Sequence, residues 1–230
     1  MEERPVSQPS QNRGSPSPLE GYPSGLERLV ASSDGTLHFR LRLIRSDDGQ
    51  KLVAFHDALS ERSCFLRFFS LHPHLSPKEV ERFTHVDYEN RLALVAELDG
   101  RLIAVGRYDR RPDSDVAEVA FVVADEFQHR GIGALLLDDL VSAARERGIS
   151  AFEADTLHEN HPMLDVFFHS GFDVKSHCDY GTVSLRFPLE STPRYEEACA
   201  ARQARWHVEQ SGGPVTRMAS THWAVDRSDP

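Results

Sequence analysis

One segment constrains the fold more than any other: the loop QHRGIG at residues 128–133. The apolar run before it, from Val116 to Ala124, indicates a strand that is buried on both faces. After the loop, apolar residues recur at helical spacing as far as Arg147, and Gly148 follows as a typical helix terminator. Ile149 to Leu157 is a further strand pattern. A strand, an amphipathic helix and a second strand in this order predict a parallel crossover in a mixed α/β fold.

Other strand patterns surround this unit. Alternating apolar residues from Leu37 to Leu43 predict a half-buried strand. The apolar runs 92–98 and 102–108 are separated by Asp99-Gly100, a dipeptide suited to a type I′ turn, and predict a hairpin. A closing antiparallel pair is expected from 174–178 and 183–187. The sheet should therefore be mixed and mostly antiparallel.

Helical patterns fill the intervals between the strands. Two helices are expected at about 48–59 and 61–69, and a third from Pro77 to Thr84, where Ser76 and Glu79 form a capping-box pattern. A short helix is expected at 162–170. Residues 196–209 favour a helix by propensity, but their apolar stripe is narrow, so we expect an appendage rather than part of the core.

The ends of the chain differ in composition from the middle. Residues 1–24 are rich in Pro, Ser and Gln, and burial cannot offset the entropy of ordering them, so we expect a disordered tail. Beyond Gly212 a flexible tail is expected. The predicted division is a disordered tail at 1–24, a folded domain at 25–189, and a helical extension with a flexible tail at 190–230.

Charge and cysteine content exclude several classes of protein. The formal net charge is −10 at pH 7, whereas nucleic acids and anionic membranes bind through clustered Lys and Arg, so neither is an expected partner. Three cysteines without a Cys-x-x-Cys pair predict neither a disulfide framework nor a thiolate zinc site. No apolar run is long enough to cross a bilayer or to form a secretion signal. We expect a soluble cytoplasmic protein.

The loop at 128–133 is suited to hold an anion. Its glycines remove side chains that would keep a phosphate from the backbone, and the N–H groups at the start of the following helix can converge on a diphosphate. A dinucleotide site is a weaker explanation, because the third glycine position is Leu136, although Glu153 lies at a suitable distance to bind a ribose. The sequence contains no Gly-Lys-Ser or Gly-Lys-Thr, so a P-loop is not expected. His158 and His161 are one residue too close for a zincin helix, and no metal site is expected.

In this loop the chain resembles the GNAT N-acetyltransferase family, whose signature has the same position between a strand and a helix. A second landmark lies downstream and consists of Asn160, Met163, Phe167, Gly171 and Phe172. The resemblance extends from about Leu37 to Leu189. It implies an α/β (α+β) GNAT acyl-CoA N-acyltransferase fold, with a mixed, mostly antiparallel twisted sheet flanked by helices.

Within that family the chain resembles bacterial protein lysine acetyltransferases of the Pat type. The similar segments are Arg67-Phe68-Phe69, Arg82-Phe83-Thr84, Arg107-Tyr108-Asp109 and Ala117-Glu118-Val119-Ala120-Phe121. Many such relatives carry regulatory or synthetase-like domains, for which we expect no room in 230 residues.

The resemblance implies acetyl-CoA as cosubstrate and assigns roles to particular residues. The two strands flanking the crossover helix would splay apart, with pantetheine between them and the diphosphate on the loop. The implied cofactor-binding residues are Phe121, Val122, Val123, Gln128, His129, Arg130, Gly131, Ile132, Gly133, Ala134 and Asn160. Phe167 stands where the family often has a tyrosine that protonates the departing thiolate. We predict that Phe167 and Phe168 are core aromatics, and we name no general acid.

Glu118 is the implied catalytic base. It interrupts an otherwise apolar strand, so its carboxylate must be paired, solvated or functional. A salt bridge to Arg107 or Arg110 is the structural alternative. The implied reaction is acetyl transfer to a protein lysine; a small-molecule amine as acceptor, or an acyl-CoA-sensing module without turnover, are the alternatives.

Overall fold

The computed structural model describes residues 24–209, which form one nine-stranded sheet with six α-helices. In chain order the strands are β1 (Arg28–Ser32), β2 (His38–Leu43), β3 (Arg91–Leu98), β4 (Arg101–Arg110), β5 (Val116–Val123), β6 (Ala151–Leu157), β7 (Lys175–Asp179), β8 (Thr182–Pro188) and β9 (Trp206–Glu209). Their order across the sheet is β7-β8-β6-β5-β4-β3-β2-β1-β9. Within the described chain only β5 and β6 pair in parallel. The predicted mixed, mostly antiparallel sheet is confirmed.

The helices lie on both faces of this sheet. They are α1 (Gly49–Asp57), α2 (Glu61–Phe68), α3 (Pro77–Thr84), α4 (Ile132–Glu146), α5 (His161–Phe168) and α6 (Pro193–Gln203). Helix α4 provides the predicted crossover from β5 to β6 and packs with the larger core cluster, while α1 to α3 cover a smaller cluster on the opposite face. None of the helices in residues 24–209 combines the length and apolar composition that a membrane-crossing helix requires.

Local sequence signals account for several boundaries. Asp99 and Gly100 both have positive φ angles, 49° and 79°, as a type I′ turn requires. At the start of α3 the Ser76 side chain accepts a hydrogen bond from the Glu79 N–H, and the Glu79 carboxylate accepts one from the Ser76 N–H. The predicted hairpin and capping box are both confirmed.

The C-terminal segment differs from its prediction. The helix expected at 196–209 ends at Gln203, and Trp206–Glu209 pair with β1 as strand β9. Tyr195 and Trp206 are 5% and 9% exposed and belong to the main core, so the expectation of an appendage is wrong. Residues 206–209 have helical propensity, but pairing with the free edge of β1 and burial of the Trp206 indole favour a strand there more strongly.

The predicted tails lie outside the described residues, apart from Ser24. The division of the chain at residue 189 stays a prediction about which part carries the activity. What the structure shows is that α6 and β9 pack into the same sheet and core as the residues before 189.

Gly171 permits the close packing of α6. Its φ angle is +95°, and a Cβ added there would lie 2.8 Å from the Tyr195 Cα and 2.9 Å from the Arg194 carbonyl oxygen. Gly148 also has a positive φ, +71°, but a Cβ there meets nothing within 4 Å. Substitution of Gly148 therefore tests backbone strain alone, whereas substitution of Gly171 tests backbone strain together with steric overlap.

We expect Gly148→Ala to lower the free energy of unfolding by about 1–2 kcal/mol, the cost of a side chain in a left-handed conformation. Gly171→Ala should cost about 1–3 kcal/mol more, because the new methyl group overlaps the backbone of α6. Urea denaturation of both variants measures the difference. Equal losses would contradict the close packing of α6 at this point.

Candidate active site

The site begins where β5 and β6 stop pairing. Their parallel register consists of Val116 with Ala151, Ala117 with Phe152, and Glu118 with Glu153. Beyond these pairs β5 continues to Val123, while β6 continues to Leu157 paired with β8 alone. The two strands therefore part after Glu118, as the resemblance implied, and leave a wedge-shaped gap along which β5 and β6 do not pair with each other.

The loop at 128–133 turns into α4 beside this gap. His129 and Gly131 both have positive φ angles, 60° and 84°. Gly131 is the N-cap of α4 and provides no side chain to bond the helix, and the first turn contains no acidic residue. The first N–H groups of a helix have no intrahelical acceptor, so those of Ile132, Gly133 and Ala134 are available to a ligand. This geometry fits an anion.

The gap between β5 and β6 and the loop at 128–133 open into one cavity of about 690 Å³. Ten of the eleven predicted cofactor-binding residues line it: Phe121, Val122, Val123, Gln128, His129, Gly131, Ile132, Gly133, Ala134 and Asn160. Arg130 does not; its guanidinium carbon lies 5.8 Å from the centre of the Phe127 ring. The cavity brings the predicted set together, and ligand contact by each residue remains a proposal.

Hydrogen bonds hold the loop against α2. The Gln128 side-chain amide donates to the Ser63 hydroxyl and to the Val123 carbonyl, both at 3.1 Å. Asp125 accepts from the Ser60 N–H and hydroxyl at 2.9 and 2.6 Å, and from the Ser63 hydroxyl at 2.8 Å. Burial raises the pKa of Asp125, but these bonds outweigh it and the pKa lies below its usual value. The loop backbone is thus preorganised.

The first residues of the second landmark, Asn160 and Met163, also line the cavity. Asn160 is the N-cap of α5, and its side-chain oxygen accepts a hydrogen bond of 3.3 Å from the Met163 N–H. Phe167 is 1% exposed and its ring lies 6.0 Å from that of Phe121, so the prediction of a core aromatic is confirmed. Phe168 is 41% exposed, and the same prediction is wrong for it because it lies on the outer side of α5.

Glu118 is exposed at the narrow end of the gap. It does not line the cavity, and it projects to the opposite face of β5 from Val119, which is buried in the main core. Its direct cross-strand neighbours are Asp109 on β4 and Glu153 on β6. Three carboxylates therefore lie in a row across three strands.

Two of these three carboxylates are neutralised. Asp109 accepts from Arg91 at 2.9 Å and from Arg107 at 3.2 Å. Glu153 pairs with Arg111 at 2.7 Å and with Arg186 at 2.6 Å. Within residues 24–209 Glu118 has neither a side-chain hydrogen bond nor an ion pair. An unpaired carboxylate between two paired ones is free to accept a proton.

The salt-bridge alternative for Glu118 is wrong. Arg107 bonds Asp109 instead, and Arg110 donates to the Arg147 carbonyl. The cation in the electrostatic neighbourhood of Glu118 is Arg67 on α2. Burial, and then repulsion from Arg107, lowers the pKa of Arg67 to about 10, so its guanidinium stays charged at neutral pH.

Sequence reasoning missed two walls of the cavity. From α2 come Ser63, Leu66 and Arg67, and from the C-terminal segment come Ala198, Ala201, Arg202, Arg205 and Trp206. The first wall could have been predicted, since Arg67 belongs to a segment that resembles the family. The second had no local signal, because its position depends on the pairing of β9 with β1.

Residues 24–209 contain no group of three or more His, Cys, Asp or Glu side chains that could hold an ion. The rings of His158 and His161 lie 6.0 Å apart, centre to centre.

Comparison with known sequences is consistent with this geometry. The sequence pattern of the acetyltransferase (GNAT) family matches residues 55–172. Acetyltransferase PA5475 of Pseudomonas aeruginosa is 29% identical over 170 residues, which cover 72% of this chain and 86% of that protein. Acetyltransferase Pat of Mycolicibacterium smegmatis is 29% identical over 136 residues, covering 58% of this chain but 40% of that longer protein.

A solved structure is similar over the same region. The crystal structure of the GNAT domain of S. lividans PAT has 40% sequence identity and a TM-score of 0.68. The similarity covers 73% of this chain and 99% of that domain.

We expect an acidic side chain at the start of α4 to weaken cofactor binding. A Cβ added at Gly133 would lie 3.6 Å from Val166 Cγ2, an ordinary contact, so a side chain can begin there without strain. The carboxylate of Gly133→Glu would satisfy the free N–H groups and repel a diphosphate, whereas Gly133→Gln has the same shape without the charge.

Calorimetric titration should show acetyl-CoA binding at least about tenfold more weakly to the Glu variant than to the Gln variant. Melting curves check that both fold. Equal dissociation constants would show that no phosphate lies at this helix terminus.

Proposed function

The chain belongs to the acetyltransferase (GNAT) family, and we propose that it transfers the acetyl group of acetyl-CoA to the side-chain amine of a protein lysine. Family membership makes it an acetyl-CoA-dependent N-acetyltransferase that acts on an amine. The proposal concerns the residues that perform the transfer and the kind of amine that accepts it.

Acetyl-CoA is proposed to bind along the cavity. The diphosphate bonds the N–H groups of Ile132, Gly133 and Ala134, and the positive end of the α4 dipole favours its charge. Pantetheine amides bond backbone groups in the stretch from Phe121 to Val123, which does not pair with β6. These contacts direct the acetyl group toward the narrow end of the gap, where Glu118 lies.

Proton removal is the chemical problem that Glu118 solves in this proposal. A lysine with a pKa of ~10.4 is neutral in only about one molecule in 2500 at pH 7. Glu118 takes the ammonium proton, directly or through water, and the neutral amine attacks the thioester carbonyl. The observation that carries the assignment is that Glu118 alone, of the three carboxylates in its row, forms no ion pair or side-chain hydrogen bond among the described residues.

The departing group needs less assistance. Acetyl-CoA supplies an activated carbonyl whose leaving thiol has a pKa of about 8.5, so the thiolate leaves readily. Phe167 has no proton to donate and is packed among Phe121 and Phe187. Solvent that enters from the exposed side of Glu118 can protonate the thiolate.

Two observations support a protein as the acceptor. The chain is similar to proteins named Pat, at 29% and 40% identity, and its sequence resembles Pat-type lysine acetyltransferases. In addition, the sheet beside Glu118 is open: every residue of β7 is exposed, as are Asp155, Ser184 and Arg186 on the adjoining strands. An open face admits the surface of a macromolecule, whereas an enclosed pocket would select a small amine.

Release of CoA thiol should be measured with an N-terminally blocked peptide that contains one lysine, with the same peptide carrying norleucine in its place, and with polyamines and aminoglycosides. We expect thiol release with the lysine peptide only, and mass spectrometry should locate the acetyl group on that lysine. Turnover with the small amines alone would identify a small-molecule acetyltransferase. Binding of acetyl-CoA without turnover on any acceptor would identify a sensing module.

A further inference from the structure

The C-terminal segment forms a wall of the cavity next to the α4 terminus. Five of its residues line the cavity: Ala198, Ala201, Arg202, Arg205 and Trp206. The family pattern matches residues only as far as Phe172, so this wall lies beyond it. What the wall contributes must therefore be inferred from its own contacts.

The wall is held firmly in place. Arg202 forms a two-pronged ion pair with Asp138 of α4, with bonds of 2.9 and 2.6 Å, and also donates to the His169 carbonyl at 3.1 Å. The Asp138 side chain is 5% exposed, and a bidentate pair of this kind fixes orientation as well as distance. Helix α6 thus has a defined position relative to α4, whose N-terminus is the proposed anion site.

A second set of contacts fixes the end of the wall. Strand β9 pairs with β1, and the Arg205 carbonyl accepts a hydrogen bond of 2.8 Å from the Ser33 N–H. The Trp206 ring packs edge-on against Phe39 with 5.5 Å between ring centres. A Cβ added at Gly131 would lie 3.8 Å from Cζ2 of Trp206, so the indole edge lies directly beside the anion-binding loop.

Arg205 brings an uncompensated charge to this position. Its neighbour Arg202 is neutralised by Asp138, but Arg205 has no carboxylate partner anywhere in residues 24–209. The other arginine of the cavity lining, Arg67, belongs to the electrostatic neighbourhood of Glu118 instead. Arg205 is exposed, lines the cavity and adjoins Trp206, whose indole edge lies beside the loop.

The overall charge of the chain makes such a local cation significant. A net charge of −10 repels an anionic ligand at long range. Acetyl-CoA carries a diphosphate and a 3′-phosphate, and a phosphate monoester alone contributes about −1.5 to −2 charges at pH 7. Backbone N–H groups at one helix terminus supply only a partial positive charge of roughly half a unit.

We propose that the α6–β9 segment completes the acetyl-CoA site, with Arg205 binding a phosphate of the nucleotide portion of acetyl-CoA from the wall beside the α4 terminus. This inference rests on the proposed placement of acetyl-CoA in the cavity. It makes Arg205 a residue that distinguishes phosphate-bearing acyl donors from those without phosphate.

The test compares Arg205→Ala with Arg194→Ala, which removes the same charge from an exposed position on α6 that does not line the cavity. Dissociation constants for acetyl-CoA and acetyl-dephospho-CoA are measured by calorimetry. The kcat/KM for S-acetylpantetheine, which has no phosphate, is measured on the same proteins.

We expect Arg205→Ala to weaken acetyl-CoA binding about 10- to 100-fold, the range for losing a charge-assisted hydrogen bond, while Arg194→Ala changes it little. Loss of affinity for acetyl-CoA alone would place Arg205 on the 3′-phosphate, and equal loss for both nucleotides would place it on the diphosphate. In either case kcat/KM for S-acetylpantetheine should be unchanged.

Unaltered binding of acetyl-CoA by Arg205→Ala would overturn the inference, as would an equal loss with S-acetylpantetheine. Either result leaves the cofactor site intact if the unmodified protein binds acetyl-CoA and Gly133→Glu weakens it. Failure of the unmodified protein to bind acetyl-CoA would overturn the site itself.

Discussion

The parting of β5 from β6 after Glu118 and Glu153 is the constraint on which the site depends. A parallel pair in the middle of a sheet normally continues until one strand ends, because each unpaired backbone group in the interior costs free energy. Here both strands run on apart, and β8 satisfies only one edge of β6. The exposed edge of β5 then offers donors and acceptors to an extended ligand. Helix α4, which connects the two strands, brings its N-terminus to the mouth of the same gap.

Around this gap the ion pairs leave two charged side chains of residues 24–209, Glu118 and Arg205, without an ion-pair partner in that part of the chain. Asp109 and Glu153 are each held by two arginines, and Glu118 between them is left free. In the C-terminal wall of the cavity Arg202 forms an ion pair with Asp138, while Arg205 has no such partner in the described chain. In the proposed site the free carboxylate takes the proton of the acceptor amine, and the free guanidinium binds a phosphate of acetyl-CoA. We infer that these two side chains have no ion-pair partner in the described chain because their partners are the ligands: the ammonium group of the acceptor for Glu118 and a phosphate of acetyl-CoA for Arg205.

Much of this was predictable from the sequence, for identifiable reasons. The loop at 128–133, its following helix and the hairpin at Asp99-Gly100 are specified by local signals, namely glycine positions, periodicity and turn chemistry. Strand β9 was not predictable, because residues 196–209 have helical propensity and only the unpaired edge of β1 makes the last four a strand. The lack of an ion pair at Glu118 was equally unpredictable, since it depends on Arg107 bonding Asp109 and on Arg110 bonding the Arg147 carbonyl. Local sequence rules therefore predicted the loop at 128–133, whereas the hydrogen bonds and ion pairs of the residues around it depend on contacts between distant parts of the chain.

The pH dependence of kcat/KM for Glu118→Gln tests the central role of Glu118 most directly, with Glu153→Gln as a matched control from the next strand. We expect kcat at pH 7 to fall about 10²- to 10⁴-fold in the Glu118 variant, with acetyl-CoA affinity nearly unchanged, because a general base typically contributes that much. The deficit should narrow toward pH 10, where more of the acceptor lysine is already neutral. Glu153→Gln should retain wild-type kcat and at most lose stability, since its carboxylate serves Arg111 and Arg186. A Glu118→Gln profile with the same shape as wild type, together with a lower melting temperature, would contradict the assignment and make Glu118 a structural residue.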